Sequence, residues 1–253
     1  MTNNNTPAKI ITHAGTFHAD EVLAVAITNY VYGGEIPIER VFKVSPEDME
    51  NSSVFVYDIA GEYNPAIGNF DHHQDGNMDA TNMLILNYLE PKLGCALVSR
   101  LKNNLFKQVS DIDRGIVANY PNSFNSIIRN YNNMPDGFYT ALHIAESILL
   151  AYIKTAEKSI EGEKVWLTFL KFDGVAIDDS GTIIPEWRDL AEKDNVFFLV
   201  SPNVRGGFQI ISRNPEAIPI PKDSRQTFRH NSGFMAVYSN KEDAVNHAKE
   251  LSQ

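Results

Sequence analysis

Short apolar runs alternate with an amphipathic helical pattern at the start of the chain. Residues 9–12 form a β-branched run that ends at His13, which predicts a buried strand leading into a turn. From residue 19 to about residue 30, apolar residues recur at helical spacing. Asp20 and Glu21 occupy the first turn of this predicted helix, where the helix dipole favours acidic side chains.

Two further apolar runs, 40–44 and 53–57, predict strands, and the second ends at Asp58. The order strand, helix, strand, strand is typical of the opening of an α/β domain with a largely parallel sheet. Helical periodicity then predicts helices over 94–118 and 138–156.

The pattern changes after the charged stretch 157–164, which suits either a helix end or an inter-domain link. Beyond it we expect a final helix over 241–251 and several short strands. The predicted strands are 175–177, 182–184, 196–200 and 207–212. We therefore predict a two-domain α/β protein. A larger domain over 8–160 carries the largely parallel sheet, and a smaller α+β domain covers 161–253.

Composition narrows the class of protein. The chain has 253 residues and one cysteine, Cys95, which excludes an internal disulfide. No apolar run approaches the ~18 residues of a membrane-spanning helix. Residues 1–9 lack both a signal core and an organellar presequence pattern, so we expect a short frayed tail on a cytoplasmic protein. The net charge of −10 argues against long-range binding to duplex nucleic acid and leaves room for a small anionic substrate.

Four of the seven histidines lie in two Asp-rich segments, 12–21 and 70–75, and Asp58 stands between them. All three features follow predicted strands, and ligands of α/β sheets collect at the carboxyl ends of strands. Imidazoles and carboxylates together suit manganese, zinc or iron. More such groups are present than one ion needs, which favours a pair of ions about 3.5–4 Å apart.

These segments resemble a known family. Asp71-His72-His73 after an α/β opening is similar to the DHH phosphoesterase superfamily. The chain resembles one branch of it more closely, that of the melanocyte proliferating gene product, whose eukaryotic member is described as a 3′–5′ RNA exonuclease. The segments that carry this resemblance are 12–21, 58–65, 70–74 and, less specifically, 228–234.

The resemblance implies a ligand set for two divalent ions, of which manganese is the first choice and magnesium, zinc or iron the alternatives. It implies that His13 and His18 bind one ion, that Asp20 and His72 bind the other, and that Asp58 bridges the two. His18 stands where most of the superfamily has an Asp, which lowers the negative charge of the site.

The resemblance also assigns roles around the ions. His73 would face the substrate phosphate, with Asp71 orienting the imidazoles and Asp58 as the third catalytic residue. Asp113 matches the last carboxylate ligand, whereas Asp111 would point elsewhere on the same helix and be exposed. We expect Glu21 mainly to interact with the helix dipole.

The resemblance implies that the smaller domain over 161–253 binds the substrate. We expect the contacts to come from a basic stretch over 205–229, whose charged side chains sum to +3. Arg205 precedes two glycines that either bind a phosphate or form a tight turn, and both readings stay open. Arg229 and His230 are the other predicted substrate-binding residues.

Two further histidines receive no functional role. We expect His143 in the core or at an interface, because it lies in an apolar helix. His247 lies in the charged final helix, so we expect it to be exposed to solvent.

The sequence thus predicts a metal-dependent phosphoesterase that uses metal-bound hydroxide. Its substrate would be a short single-stranded oligonucleotide, with 3′–5′ RNA exonuclease activity, and it would have no membrane partner. One alternative is a pyrophosphatase, polyphosphatase or dinucleotide phosphodiesterase. Another is a non-catalytic metal-binding regulatory module. A homodimer also stays open.

Overall fold

The computed structural model describes residues 6–253. The first five residues of the predicted tail lie outside the described residues. The chain divides into two compact units, an N-terminal unit that ends at Ala156 and a C-terminal unit over Glu157–Gln253. No helix among residues 6–253 has the length and apolar character needed to cross a membrane.

The N-terminal unit contains a five-stranded sheet with the order β2-β1-β3-β5-β4. Strand β1 pairs in parallel with β2 and β3, and β3 pairs in parallel with β5. Only the edge strand β4 is antiparallel. The strands are β1 Lys9–His13, β2 Ile38–Val41, β3 Val54–Tyr57, β4 Tyr63–Asn64 and β5 Asn69–Phe70.

Eight helices begin in this unit, and the longest, α8, extends into the C-terminal unit. They are α1 Ala19–Tyr32, α2 Pro46–Glu50, α3 Thr81–Tyr88, α4 Glu90–Leu93, α5 Cys95–Leu101, α6 Lys107–Asp113, α7 Phe124–Asn130 and α8 Gly137–Trp166. A π-helical segment, Lys102–Phe106, connects α5 to α6, and a 3₁₀ turn, Tyr131–Asn133, follows α7.

Helix α1 forms the centre of the N-terminal core. Every residue from Ala19 to Asn29 is buried, because apolar side chains surround the helix on all sides. The helix ends at Gly33, whose left-handed backbone (φ 75°) allows its N–H to bond the Asn29 carbonyl. The first turn of α1 is therefore buried within the core of this unit.

The C-terminal unit contains a six-stranded sheet with the order β10-β11-β9-β8-β7-β6. All of its pairings are antiparallel except that of β7 with β8. Its remaining elements are β6 Leu170–Phe172, β7 Val175–Ile177, α9 Trp187–Lys193, β8 Phe198–Pro202, β9 Phe208–Ser212, β10 Gln226–Arg229, β11 Met235–Tyr238 and α10 Lys241–Ser252. The predicted fold class, a largely parallel α/β region followed by a smaller α+β region, is confirmed.

Several predicted element bounds are wrong. The strand expected at 40–44 is Ile38–Val41, and Phe42 beyond it is 86% exposed. The strand expected at 196–200 is Phe198–Pro202. The helix expected over 94–118 ends at Asp113.

Residues 182–184 are not a strand. Helix α8 continues through the charged stretch 157–164 to Trp166, and the boundary between the two units falls at the start of this stretch. One contact accounts for both the missing strand and the uninterrupted helix. A Cβ at Gly162 would lie 2.7 Å from Ile184 Cγ2, so the glycine admits the buried Ile184 side chain against the helix. Gly162 therefore serves close packing and does not break the helix.

Candidate metal centre

The predicted His and Asp residues meet at one edge of the N-terminal sheet. Strand β1 ends at His13, Asp58 follows β3, and Asp71 follows β5. These three strands are parallel neighbours, so their carboxyl ends share the same edge. The first turn of α1 adds Asp20 and Glu21 to this edge, since α1 follows the loop after β1.

Asp58 lies at the centre of the group. Its backbone is left-handed (φ 61°), a conformation that Asp adopts more readily than most residues. The carboxylate is buried, and Oδ1 accepts a hydrogen bond of 3.1 Å from Thr81 Oγ1. The side chain is thereby held among the histidines.

His13 presents a ring nitrogen to two carboxylates. Its Nδ1 lies 3.3 Å from the Ala14 carbonyl oxygen, which accepts only from a protonated nitrogen. In the neutral ring, Nε2 then carries a lone pair, 3.0 Å from Glu21 Oε1 and 3.5 Å from an Asp58 oxygen. This buried Nε2 makes no hydrogen bond of acceptable geometry among the described residues. A lone pair facing carboxylates requires a cation, either a proton or a metal ion, between them.

His72 shows the same arrangement more strongly. Its Nε2 lies 3.4 Å from Asp58 Oδ1, 3.4 Å from Asp113 Oδ2 and 3.9 Å from Asp20 Oδ2. The atom is buried and also lacks a hydrogen bond of acceptable geometry among the described residues. One nitrogen surrounded by three carboxylates has the donor set of a divalent-ion site.

Asp20 is fully buried, and only one of its oxygens is bonded within residues 6–253. Oδ2 accepts from the Thr81 backbone N–H at 3.3 Å, whereas Oδ1 has no partner there. Burial, together with the negative charges of Asp58 and Asp113, raises the pKa of Asp20 well above its usual value. A bound divalent cation would satisfy Oδ1 and reverse that shift.

The other pKa values report the same surplus of negative charge. Burial opposes the ionisation of Asp58, but the imidazoles of His13, His18 and His72 outweigh it and hold the Asp58 pKa well below normal. Asp58, followed by Glu21, raises the pKa of His13 to about 10. Burial lowers the pKa of His72, but Asp113 and Asp58 more than reverse this and raise it to about 9. Without a metal, protons would fill the role of the cation.

Three groups of residues at this edge place ligand atoms within 4.8 Å of one another. They are His13, His18, Glu21 and Asp58; Asp58, His72 and His73; and His18, Asp20 and Asp113. Asp58 and His18 each belong to two groups, and of the two the carboxylate, which has two oxygens, is the one suited to bridge two ions. The residues therefore fit one or more divalent ions. All six predicted ligands lie in this region, although their individual roles stay predictions.

Asp71 and His73 form a pair at the rim. Asp71 Oδ1 lies 2.8 Å from His73 Nδ1 and also accepts from the His73 backbone N–H at 3.0 Å. Asp71 Oδ2 accepts from the Gly61 N–H at 2.7 Å. The His73 side chain stays 62% exposed, so it is oriented by Asp71 and accessible to a ligand.

Glu21 has a larger part in the site than the sequence suggested. It is fully buried, and its carboxylate accepts the His18 backbone N–H at 2.9 Å as well as lying beside His13. Burial raises the pKa of Glu21. The sequence did carry a signal for this role, since Glu21 follows Asp20 at the start of a helix that comes soon after a strand. The helix dipole alone also explains an acidic residue there, so the signal did not point to the site.

A cavity of about 340 Å³ adjoins the cluster and is lined by His18, His72, His73 and Asp113. Its other polar lining residues are Asn119, Asn125 and Arg129, none of which sequence reasoning identified. No motif marks them, because they come from α7 and the loop before it.

The predicted substrate-binding residues of the C-terminal unit separate into two groups. Arg205 and His230 line one cavity of about 530 Å³, together with Phe228. Arg229 does not line it: its guanidinium donates to the carbonyls of Ile220, His230 and Asn231. Arg229 thus holds the loop that carries His230.

Three expectations about side-chain exposure need correction. His143 is exposed on α8 beside Glu146, because it lies on the outer face of an otherwise apolar helix. His247 is buried, since its Nδ1 is bonded to Tyr238 across the sheet–helix contact. Asp111 is half-buried and paired with Lys107.

Comparison with known proteins matches a family model to part of the N-terminal unit. Residues 9–96 match the family MYG1_exonuc, described as "Uncharacterised protein family (UPF0160)". This range includes the cluster from His13 to His73 and excludes Asp113. No solved structure matches the chain.

Three relatives illustrate the similarity. The MYG1 protein of Chlamydia muridarum is 30% identical over 156 residues, which are 56% of this chain and 53% of the relative. The MYG1 protein of Chlamydia pneumoniae is 28% identical over 207 residues, 76% of this chain and 68% of the relative. The MYG1 exonuclease of Mus musculus is 41% identical over 70 residues, 27% of this chain and 17% of the relative. The match thus spans about half of the first relative's length. The resemblance stated from the motifs is confirmed.

Proposed function

Because residues 9–96 match the MYG1_exonuc family model, we propose that the chain is a metal-dependent phosphoesterase that cleaves short single-stranded RNA from the 3′ end. Its similarity to the MYG1 exonuclease of Mus musculus supports a nuclease-like hydrolase. The observation that carries the metal dependence is the pair of buried imidazole nitrogens, His13 Nε2 and His72 Nε2, that face carboxylates without hydrogen bonds.

Asp58 lies between two histidines of the cluster. His13 Nε2 lies 3.5 Å from one Asp58 oxygen, and His72 Nε2 lies 3.4 Å from the other. Because Asp58 contacts both histidines, it would hold two ions together. When bound, two divalent ions supply a nucleophilic hydroxide at neutral pH and stabilise negative charge on the phosphate.

His73 is the residue most suited to the substrate. Asp71 Oδ1 accepts from the ring Nδ1–H, so a neutral ring presents an Nε2 lone pair, whereas a doubly protonated ring would donate from Nε2 to a phosphate oxygen. In the doubly protonated form, His73 would stabilise the charge that develops on the phosphate.

A second substrate class is pyrophosphate, polyphosphate or a dinucleotide. The net charge of −10 and the modest cavity of about 340 Å³ favour a small phosphate ester over a long polymer. A non-catalytic metal-binding module is the third possibility, since His18 supplies a neutral ligand where the superfamily carries an Asp.

One panel of assays separates these proposals. Manganese-supplemented protein is incubated with a generic phosphodiester, short RNA, short DNA and pyrophosphate, with elemental analysis in parallel. The matched control is Asp58→Asn, which keeps the left-handed backbone accessible. We expect RNA to be shortened from its 3′ end by the wild type and not by the variant.

Other results would redirect or overturn the proposal. Preferential cleavage of pyrophosphate would establish the second substrate class. Bound metal without hydrolysis of any substrate would establish the non-catalytic module. Equal hydrolysis by wild type and Asp58→Asn would show that the activity does not come from this site.

A further inference from the structure

We propose that Arg129 and Asn119 form a phosphate-binding subsite within the N-terminal unit, on the wall of the cavity that adjoins the metal cluster. Both residues line that cavity together with His18, His72 and His73. This inference rests on the proposed function, because it assumes an anionic phosphate ester as the substrate.

The charge of the cluster explains the need for such a subsite. Two divalent ions would only neutralise the four carboxylates of the cluster, which are Asp20, Glu21, Asp58 and Asp113. The loaded site would then carry little net positive charge to attract a phosphate. A cation on the cavity wall, outside the ligand set, would supply that attraction.

Arg129 is the cation that meets this need. It is exposed at the end of α7 and forms no hydrogen bond or ion pair through its guanidinium with any residue from 6 to 253. It is also the only Lys or Arg among the described residues that line this cavity. An uncommitted guanidinium presents a planar fork of donors that matches two phosphate oxygens.

Neighbouring arginines are already used by the fold. Arg40 donates to the carbonyls of His13 and Gly15 and stacks over Phe138. Arg114 pairs with Asp79. Neither lines the cavity, so neither replaces Arg129.

Asn119 is oriented as a donor. Its Oδ1 accepts hydrogen bonds from Ser123 Oγ at 2.6 Å and from Ser126 Oγ at 2.9 Å. Because the amide is planar, fixing the oxygen also fixes the Nδ2 group, and no described residue accepts from that group. Asn119 therefore holds two N–H donors ready beside Arg129 without further ordering cost.

The test uses the full chain loaded with manganese and two readouts, the binding of inorganic phosphate by calorimetry and the KM for a generic phosphodiester. Arg129→Gln removes the cation, and Lys43→Gln is the matched control, because Lys43 is an exposed cation outside the cavity. We expect Arg129→Gln to weaken phosphate binding and raise KM by ~10- to 100-fold, the size of a charge-assisted hydrogen bond. Manganese content and kcat should change far less.

Two further variants separate a binding role from a structural one. Arg129→Lys keeps the charge without the fork, so it should recover part of the loss. Asn119→Asp keeps an oxygen acceptor for the two serines but faces the phosphate with a carboxylate, so it should weaken phosphate binding as well.

The results that would overturn the phosphate subsite differ from those that would overturn the proposed catalytic function. If the wild type binds manganese and phosphate but cleaves nothing, the catalytic proposal fails and the subsite stands. Wild-type phosphate affinity in Arg129→Gln, or an equal loss in Lys43→Gln, would overturn the subsite. Absence of phosphate binding by the manganese-loaded wild type would overturn it too.

Discussion

The two units each contain a cluster of histidine and carboxylates, and the clusters differ in where their positive charge comes from. In the C-terminal unit, Asp223, His247 and Glu250 place ligand atoms within 4.8 Å of one another, as the residues around Asp58 do. There, Arg225 donates to both Asp223 and Glu250 at 2.6–3.0 Å. The cation of that cluster is built into the chain.

Among the described residues, no arginine or lysine side chain forms an ion pair with the carboxylates around Asp58; the nearby Arg40 donates to backbone carbonyls. The histidines around Asp58 respond accordingly: the carboxylates raise the pKa of His13 to about 10 and, despite burial, that of His72 to about 9. In the other cluster, burial lowers the pKa of His247, and Arg225 holds the Asp223 pKa well below normal. The same residue types therefore fit a metal ion best where the fold leaves their negative charge unbalanced.

Breaking the centre of the first cluster should have the largest effect. Asp58→Asn removes the charge shared by both halves of the site, so we expect manganese content to fall and kcat to drop about 1000-fold or more, equivalent to ~4 kcal/mol of barrier. Elemental analysis and steady-state kinetics measure this. Asp223→Asn is the control from the second cluster and should retain metal content and kcat within about twofold. Similar losses of manganese and kcat in both variants would show that the two clusters do not differ in metal binding.

Glu21 is a second residue that tests the difference between the two clusters, because its buried negative charge is unfavourable unless a cation lies beside it. Glu21→Gln keeps the shape and removes the charge beside His13. We expect manganese affinity to fall by ~10- to 100-fold, as for other groups that hold a ligating histidine. Calorimetric titration measures this, with Glu250→Gln as control. Unchanged manganese affinity in Glu21→Gln would show that Glu21 interacts mainly with the helix dipole.

The raised histidine pKa values predict a dependence of metal binding on pH. Because the pKa values of His13 and His72 lie above the ordinary 6.5, both rings are protonated at pH 7 when no metal is bound. In that metal-free state, the stability that the protonated rings add to the fold is lost only as the pH rises through about 9 to 10. Metal must displace those protons. Apparent manganese affinity should therefore rise between pH 6 and 8, by up to ~10-fold per unit for each proton released.

Titrations in buffers of different ionisation enthalpy count the released protons directly. A flat affinity from pH 6 to 8, with no proton release, would show that His13 and His72 are not ligands.

Removing the built-in cation should have the smallest effect. Arg225→Gln frees Asp223 and Glu250, but Glu250 is exposed and the other two side chains are only half-buried, so their ion pairs are partly screened. We expect the Tm to fall by no more than about 3 °C and activity to remain at the wild-type level. Thermal unfolding in low and high salt checks this, and the difference from wild type should shrink in high salt. Lost activity would contradict the account.

Much of the N-terminal unit could be predicted because its signals are local. The buried run at β1 and the periodicity of α1 each specify an element, and both begin at the expected residue. The failures depend on distant contacts. Thr182-Ile-Ile184 has the β-branched composition of a strand, but Ile184 packs against Gly162, and Ile183 is 82% exposed.

The proximity of the site residues could be predicted from the sequence, but their burial and their charge balance could not. His13, Asp58 and His72 follow strands that a parallel sheet brings together, so their proximity follows from topology. The burial of His247 depends on Tyr238, nine residues away on another element, and no local pattern encodes it. Arg129 reaches the cavity only because α7 packs on α1, which lies about a hundred residues earlier.

Anomalous diffraction at the manganese edge, from crystals of the full chain grown with manganese, would locate any ions bound in the two clusters. We expect strong peaks between Asp58 and its neighbouring histidines, with none at Asp223, His247 and Glu250. A peak only in the C-terminal cluster, or no peak beside Asp58 at saturating manganese, would contradict this expectation.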